Sequence, residues 1–117
     1  MRPGNNKWCV GWTCLSLLLA FTLVSCGKME SFNTQLIYKS ASRAHNKGDY
    51  KTAIELYTKI LKNHPELSTV RYELGVAYLD TRQFREAHKQ IKILRDQNRD
   101  DLAVELEKLS ETAIAAR

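Results

Sequence analysis

The sequence predicts an all-α fold: two helical hairpins in tandem, closed by a single C-terminal helix. The first observation is an internal repeat. Residues 44–65, AHNKGDYKTAIELYTKILKNHP, return in altered form 34 residues later as YLDTRQFREAHKQIKILRDQNR from Tyr78, and a period of that length is the signature of a stacked helical-hairpin unit. The second is what the offset superimposes: Tyr38 on Tyr72, Ala41 on Gly75, Tyr50 on Phe84, Ala53 on Ala87, Tyr57 on Ile91 and Ile60 on Leu94. Small residues fall on small ones and large apolar residues on large apolar ones. The third is that Leu102, Leu106, Leu109 and Ala113 recur at helical spacing behind Asp100 and Asp101, which read as a helix start.

These residues resemble the tetratricopeptide repeat. The second copy carries Leu74, Gly75 and Tyr78 on its first helix and Ala87 with Ile91 on its second; the first carries Gly48, Asp49 and Tyr50 at the turn, then Ala53, Tyr57 and Pro65. Each copy is incomplete. The first has Ala41 and Ala44 in place of the family's Gly and Tyr, and the second has Asn98 to Asp101 where the closing Pro would be. The resemblance covers about residues 34–101, as repeats 34–67 and 68–101, and leaves 102–117 as a capping helix. Two antiparallel helices pack closely only where their backbones can approach, so Ala41 against Ala53, and Gly75 against Ala87, are expected to supply that room. Tyr50 and Phe84 then fill the wedge at the start of each second helix, and Pro65 ends the first hairpin.

Taken in order, the chain opens with a segment that does not belong to this domain. Arg2 and Lys7 supply a positive start, and Val10 to Val24 an uncharged, largely apolar stretch. That run falls short of the ~20 residues needed to cross hydrocarbon, so it reads as an export signal spanning residues 1–25. Leu23-Val24-Ser25-Cys26 resembles the lipobox of bacterial lipoproteins. The resemblance implies cleavage before Cys26, diacylglycerol on its thiol and usually acylation of the new amino group. Two or three chains at about 0.8 kcal/mol per buried methylene make a lasting anchor, where one would be marginal. With Gly27 rather than Asp after the Cys, the resemblance implies an outer-membrane address facing the periplasm in a two-membrane bacterium.

The cysteine count closes on this reading. Cys9 and Cys14 leave with the signal and Cys26 carries lipid, so no disulfide, catalytic thiol or zinc ligand set is expected from cysteine. Losing Arg2 and Lys7 lowers the formal net charge from +5 to about +3, too weak and too evenly spread for nucleic acid. Residues 26–33 are a lipidated start and polar connector, whose GKMESFN stretch reaches on the order of 25 Å when extended.

The helices are expected from about Thr34 to Asn46, Tyr50 to Asn63, Ser68 to Asp80 and Phe84 to Gln97, with a turn at Lys47 to Asp49. Asp49 and Ser68 suit N-cap positions because their oxygens can accept first-turn amide hydrogens. The terminal helix should present a polar outer face through Glu105, Glu107, Lys108 and Glu111, since helical arrays need a solvated cap. A docking helix is the other reading of it.

No enzymatic constellation emerges. His45 and Asp49 are separated by a turn, His64 sits at a helix end before Pro65, and His88 and Asp96 do not share a turn. There is no HExxH, GxSxG or phosphate loop, and neither metal nor cofactor is expected. The resemblance instead implies a concave groove lined by Gln35, Tyr38, Ser42, His45 and Asn46 from the first hairpin and Thr69, Tyr72, Val76, Leu79 and Asp80 from the second. Tyr38, Tyr72, Val76 and Leu79 favour apolar anchors on a partner peptide or helix. Val76 and Leu79 have an alternative place beneath the C-terminal helix. The expected function is a membrane-anchored adaptor or accessory subunit of an envelope assembly, of pilus, secretion or outer-membrane type. The rival is a structural spacer with an empty groove. So small an array also suggests completion by self-association or by a larger complex.

Overall fold

The computed structural model describes residues 32–116, which fold into five helices with no strand among the described residues. Helix α1 covers 32–46, α2 Tyr50–Asn63, α3 Ser68–Asp80, α4 Phe84–Asp96 and α5 Asp100–Ala115. The export signal, Cys26 and the connector up to residue 31 lie outside the described residues. By its packing the chain divides between Thr34 and Gln35, and the helix packing and the site described below lie in the second unit. Phe32 and Asn33, expected in the connector, are already helical.

The turns explain why the hairpins form. Helices α1, α3 and α4 all end in the same motif, a left-handed residue whose N–H and that of its successor close back on the last turn. At α1, Gly48 (φ 80°) donates to the His45 carbonyl at 2.9 Å and Asp49 to the Ala44 carbonyl at 2.9 Å. At α3, Arg82 (φ 60°) donates to Leu79 at 2.9 Å and Gln83 to Tyr78 at 2.7 Å. At α4, Asn98 (φ 57°) donates to Arg95 at 2.9 Å and Arg99 to Leu94 at 2.9 Å. Helix α2 ends differently, with His64 as its C-cap ahead of Pro65. At the other end of α2, the Asp49 carboxylate accepts from the Thr52 N–H at 3.3 Å, which holds its pKa below the usual carboxylate value.

Ser68 does not cap α3. Leu67 occupies the N-cap position, and the Ser68 hydroxyl donates to the Glu66 carbonyl at 3.4 Å and to Gln97 Oε1 at 3.2 Å. The reason lies one step along the chain, where the α2–α3 turn is held by side chains from α3 and beyond α4. The Pro65 carbonyl accepts from Arg71 Nη2 at 3.0 Å and from Gln97 Nε2 at 2.7 Å, and Arg71 Nη1 donates to Gln90 Oε1 at 3.1 Å. Arg71 is buried, forms no ion pair among the described residues, and its pKa is lowered by desolvation.

Two apolar clusters fill the domain. One joins Ala41, Ala53, Tyr57, Ile60, Leu61, Val70 and Leu74. The other joins Leu79, Ala87, Ile91, Leu94, Ala103 and Leu106. Tyr78 packs against both. Gly75 makes room for α5: a Cβ there would overlap Leu106 Cδ2 and lie 3.1 Å from Leu106 Cδ1. The missing side chain admits Leu106 of α5.

Helix α5 departs from expectation in register as well. Its buried line is Ala103, Leu106 and Ser110, while Leu109 of the expected stripe is 39% exposed. It begins at Asp100, at the start signal read from Asp100 and Asp101 and two residues ahead of the 102–117 bound. Nor is its outer face purely polar. Val104 and Ile114 are 58% and 43% exposed, whereas Glu107 is drawn into an ion pair with Arg95 at 2.6 Å. No helix among the described residues is long and apolar enough to cross a membrane.

Candidate functional site

The first helix of each hairpin, α1 and α3, places the anticipated groove residues, and α5 adds to them. From α1, Tyr38 is half-buried and its ring lies 6.1 Å from that of Tyr57 at 52°. Burial and the nearby Glu73 carboxylate raise its pKa. Ser42 is half-buried and Gln35 and Asn46 are exposed. His45 stands edge-on to Tyr50 at 5.4 Å and to Tyr57 at 6.4 Å, and its Nε2 meets Asp80 Oδ2 at 2.7 Å. Thus two residues separated by 35 positions meet across α1 and α3.

The α3 side is less open. Tyr72 packs against the second cluster, and its hydroxyl donates to Glu105 Oε1 of α5 at 3.0 Å. Burial, then the bond to Glu105, push its pKa to about 12. Thr69 is exposed, Val76 half-buried and Leu79 buried. Val76 and Leu79 do lie beside the C-terminal helix, yet they are not sealed by it: with Asp80, Leu109, Thr112 and Ala113 they line an open pocket of about 290 Å³. Leu109 and Thr112 were not among the anticipated groove residues. The anticipated set draws only on the first helix of each hairpin, so residues that α5 brings to the pocket fall outside it.

The pocket is apolar on its floor with one carboxylate at the rim, already engaged by His45. That arrangement can hold an apolar side chain and orient a hydrogen-bond donor. It offers no nucleophile with a base, and no group of three or more His, Cys, Asp or Glu side chains among the described residues is placed to hold a metal. His64 Nδ1 lies 3.3 Å from Glu66 Oε1 at the α2–α3 turn, and His88 and Asp96 are exposed on α4.

Helical hairpins at a 34-residue period, with small residues at their seams, define an all-α protein of the tetratricopeptide class, a scaffold that typically binds rather than catalyses. The chain belongs more narrowly to the family described as the N-terminal TPR repeats of surface lipoprotein assembly modifier, whose model matches residues 30–91. The match takes in α1 to α3 and α4 as far as Ile91, and it ends before α5. No curated protein matches the chain.

Proposed function

We propose that this protein is an adaptor or accessory subunit of a bacterial envelope assembly, which holds a peptide or amphipathic helix of a partner protein by an apolar side chain inserted at the α3–α5 pocket. The observation that carries the proposal is the pocket itself: Val76, Leu79, Leu109 and Ala113 form an apolar floor that the fold leaves open, beside the Asp80 carboxylate. An apolar anchor with a polar rim is the usual economy of such recognition. The family's description, a modifier of surface lipoprotein assembly, supports an envelope setting. The lipobox at Leu23 to Cys26 supports a lipid anchor on Cys26 and an outer-membrane, periplasm-facing address.

The test is a photo-crosslinking residue at Thr112 of the full-length protein in its own host, with and without Val76→Lys. A discrete partner whose capture falls about tenfold or more with Val76→Lys, the scale of losing one well-buried apolar contact, supports the groove. Equal capture with and without the substitution, or capture of nothing, refutes it. For the anchor, Cys26→Ser should abolish incorporation of labelled fatty acid and release the protein from membranes.

A further inference from the structure

Independently of the groove, the two outermost helices carry surfaces that match. The exposed side of α1 presents Leu36, which is 49% exposed, followed at helical spacing by Lys39 and Arg43. Residues 32–46 contain no acidic side chain. Helix α5 presents Val104, which is 58% exposed, followed at the same spacing by Glu107 and Glu111. Five of its residues are acidic and only Lys108 is basic. The two stripes run in parallel order: apolar, then charge three residues on, then charge seven residues on. Each covers on the order of 10 Å of helix, and the charges are opposite at both positions. Lys39, Arg43 and Glu111 form no ion pair among the described residues, and Glu107, bonded to Arg95, is still 36% exposed at its side chain.

We propose that this face of α5 docks α1 of a second copy of the chain, head to tail, with Leu36 on Val104, Lys39 facing Glu107 and Arg43 facing Glu111. The second copy supplies both the apolar cover and the countercharge. The association is heterologous, because the surface on one copy differs from the surface it meets on the next. It is also salt-sensitive, since exposed pairs are screened beyond about 8 Å at physiological ionic strength.

The experiment places a photo-crosslinking residue at Leu36 of the full-length, membrane-bound protein and maps the captured site by mass spectrometry. A product of twice the chain mass, joined within 100–115, is expected. Arg43→Glu alone and Glu111→Lys alone should each lower it about fivefold, the scale of one or two exposed ion pairs turned to repulsion. The double variant R43E/E111K should restore it, because every interface then contains both exchanged charges. That restoration also shows that the single variants fold. Capture of α1 by α1, capture of other proteins only, no self-product, or single variants indistinguishable from the parent would each overturn the proposal.

Discussion

The two apolar clusters on either side of α3 solve one packing problem with opposite means. In the N-terminal cluster the seam is filled by a ring: Tyr57 is 1% exposed, packed with Ala41 and Ala53, and faces Tyr38 and His45. In the C-terminal cluster the equivalent repeat position is Ile91, no ring is buried, and the closest approach comes from a side chain that is absent, at Gly75, where Leu106 enters. Ala41 and Gly75 occupy the same place in the repeat, and at Gly75 the side chain that enters belongs to α5. A small residue at a repeat position thus specifies only that something comes close. What comes close is decided by the next helix in the chain.

The strongest way to break the symmetry is to empty each cluster in turn. Leu106→Ala and Tyr57→Ala each remove a side chain that is essentially unexposed, and each should cost about 3–5 kcal/mol in urea unfolding followed by helical circular dichroism. Tyr57→Ala should loosen α1 and α2 and leave α5 protected in hydrogen exchange; Leu106→Ala should do the reverse. Uniform loss of protection in both would show that the clusters act as one cooperative core.

Gly75 sharpens the comparison further. Gly75→Ala adds a Cβ where Leu106 stands, so it should destabilise by about 1–3 kcal/mol despite the better helix propensity of alanine. In a Leu106→Ala background the space is vacant, and the same change should stabilise by up to about 1 kcal/mol. A double-mutant cycle without this reversal of sign would place the constraint elsewhere, for instance against Ala87.

Alkaline titration separates the clusters by chemistry. Burial raises the pKa of Tyr57, and of Tyr72 to about 12. A hydroxyl whose folded pKa exceeds its unfolded value of about 10 keeps its proton longer in the folded state, so its contribution is complete below about pH 10 and is lost as pH rises towards the folded pKa. Each unit of such a shift is worth about 1.4 kcal/mol at most, and solvent at the rim takes back part of it for Tyr72. Stability should therefore fall above about pH 10, and Tyr57→Phe should flatten that fall more than Tyr72→Phe. An unchanged pH profile in Tyr57→Phe would mean that its hydroxyl is solvated.

The hairpins were legible because their determinants are local or periodic: the offset of 34, the Ala and Gly pairs, Pro65 after α2 and the Asp49 cap. The groove was only half legible. Its α1 and α3 residues follow from the repeat, but Leu109 and Thr112 lie on α5, outside the two repeats, and join the site only through tertiary packing. Arg71 falls on the repeat position of Ile37, and its burial goes with partners that the repeat pattern does not show, the Pro65 carbonyl six residues back and Gln90 nineteen residues on. Ser68 was misplaced for the same reason, since Gln97 rather than the helix end claims its hydroxyl.

The smallest effect tests the turns, where the repeat is most exact in geometry and least exact in sequence. Gly48 and Arg82 stand 34 residues apart in the same left-handed position, with φ of 80° and 60°. A side chain in that conformation costs roughly 1–2 kcal/mol that glycine avoids. Glycine, however, adds about 0.5–1 kcal/mol of backbone freedom to the unfolded chain. The first effect should exceed the second by a few tenths to about 1 kcal/mol. Gly48→Ala should therefore destabilise by about that much, and Arg82→Gly should stabilise by a similar amount. Arg82→Asn should gain slightly more, because asparagine tolerates the conformation without loosening the unfolded chain. Thermal unfolding of the three variants decides it. If Arg82→Gly and Arg82→Asn both destabilise, the guanidinium contributes more at that turn than the strain removes, and the second hairpin is held by a contact that the first one lacks.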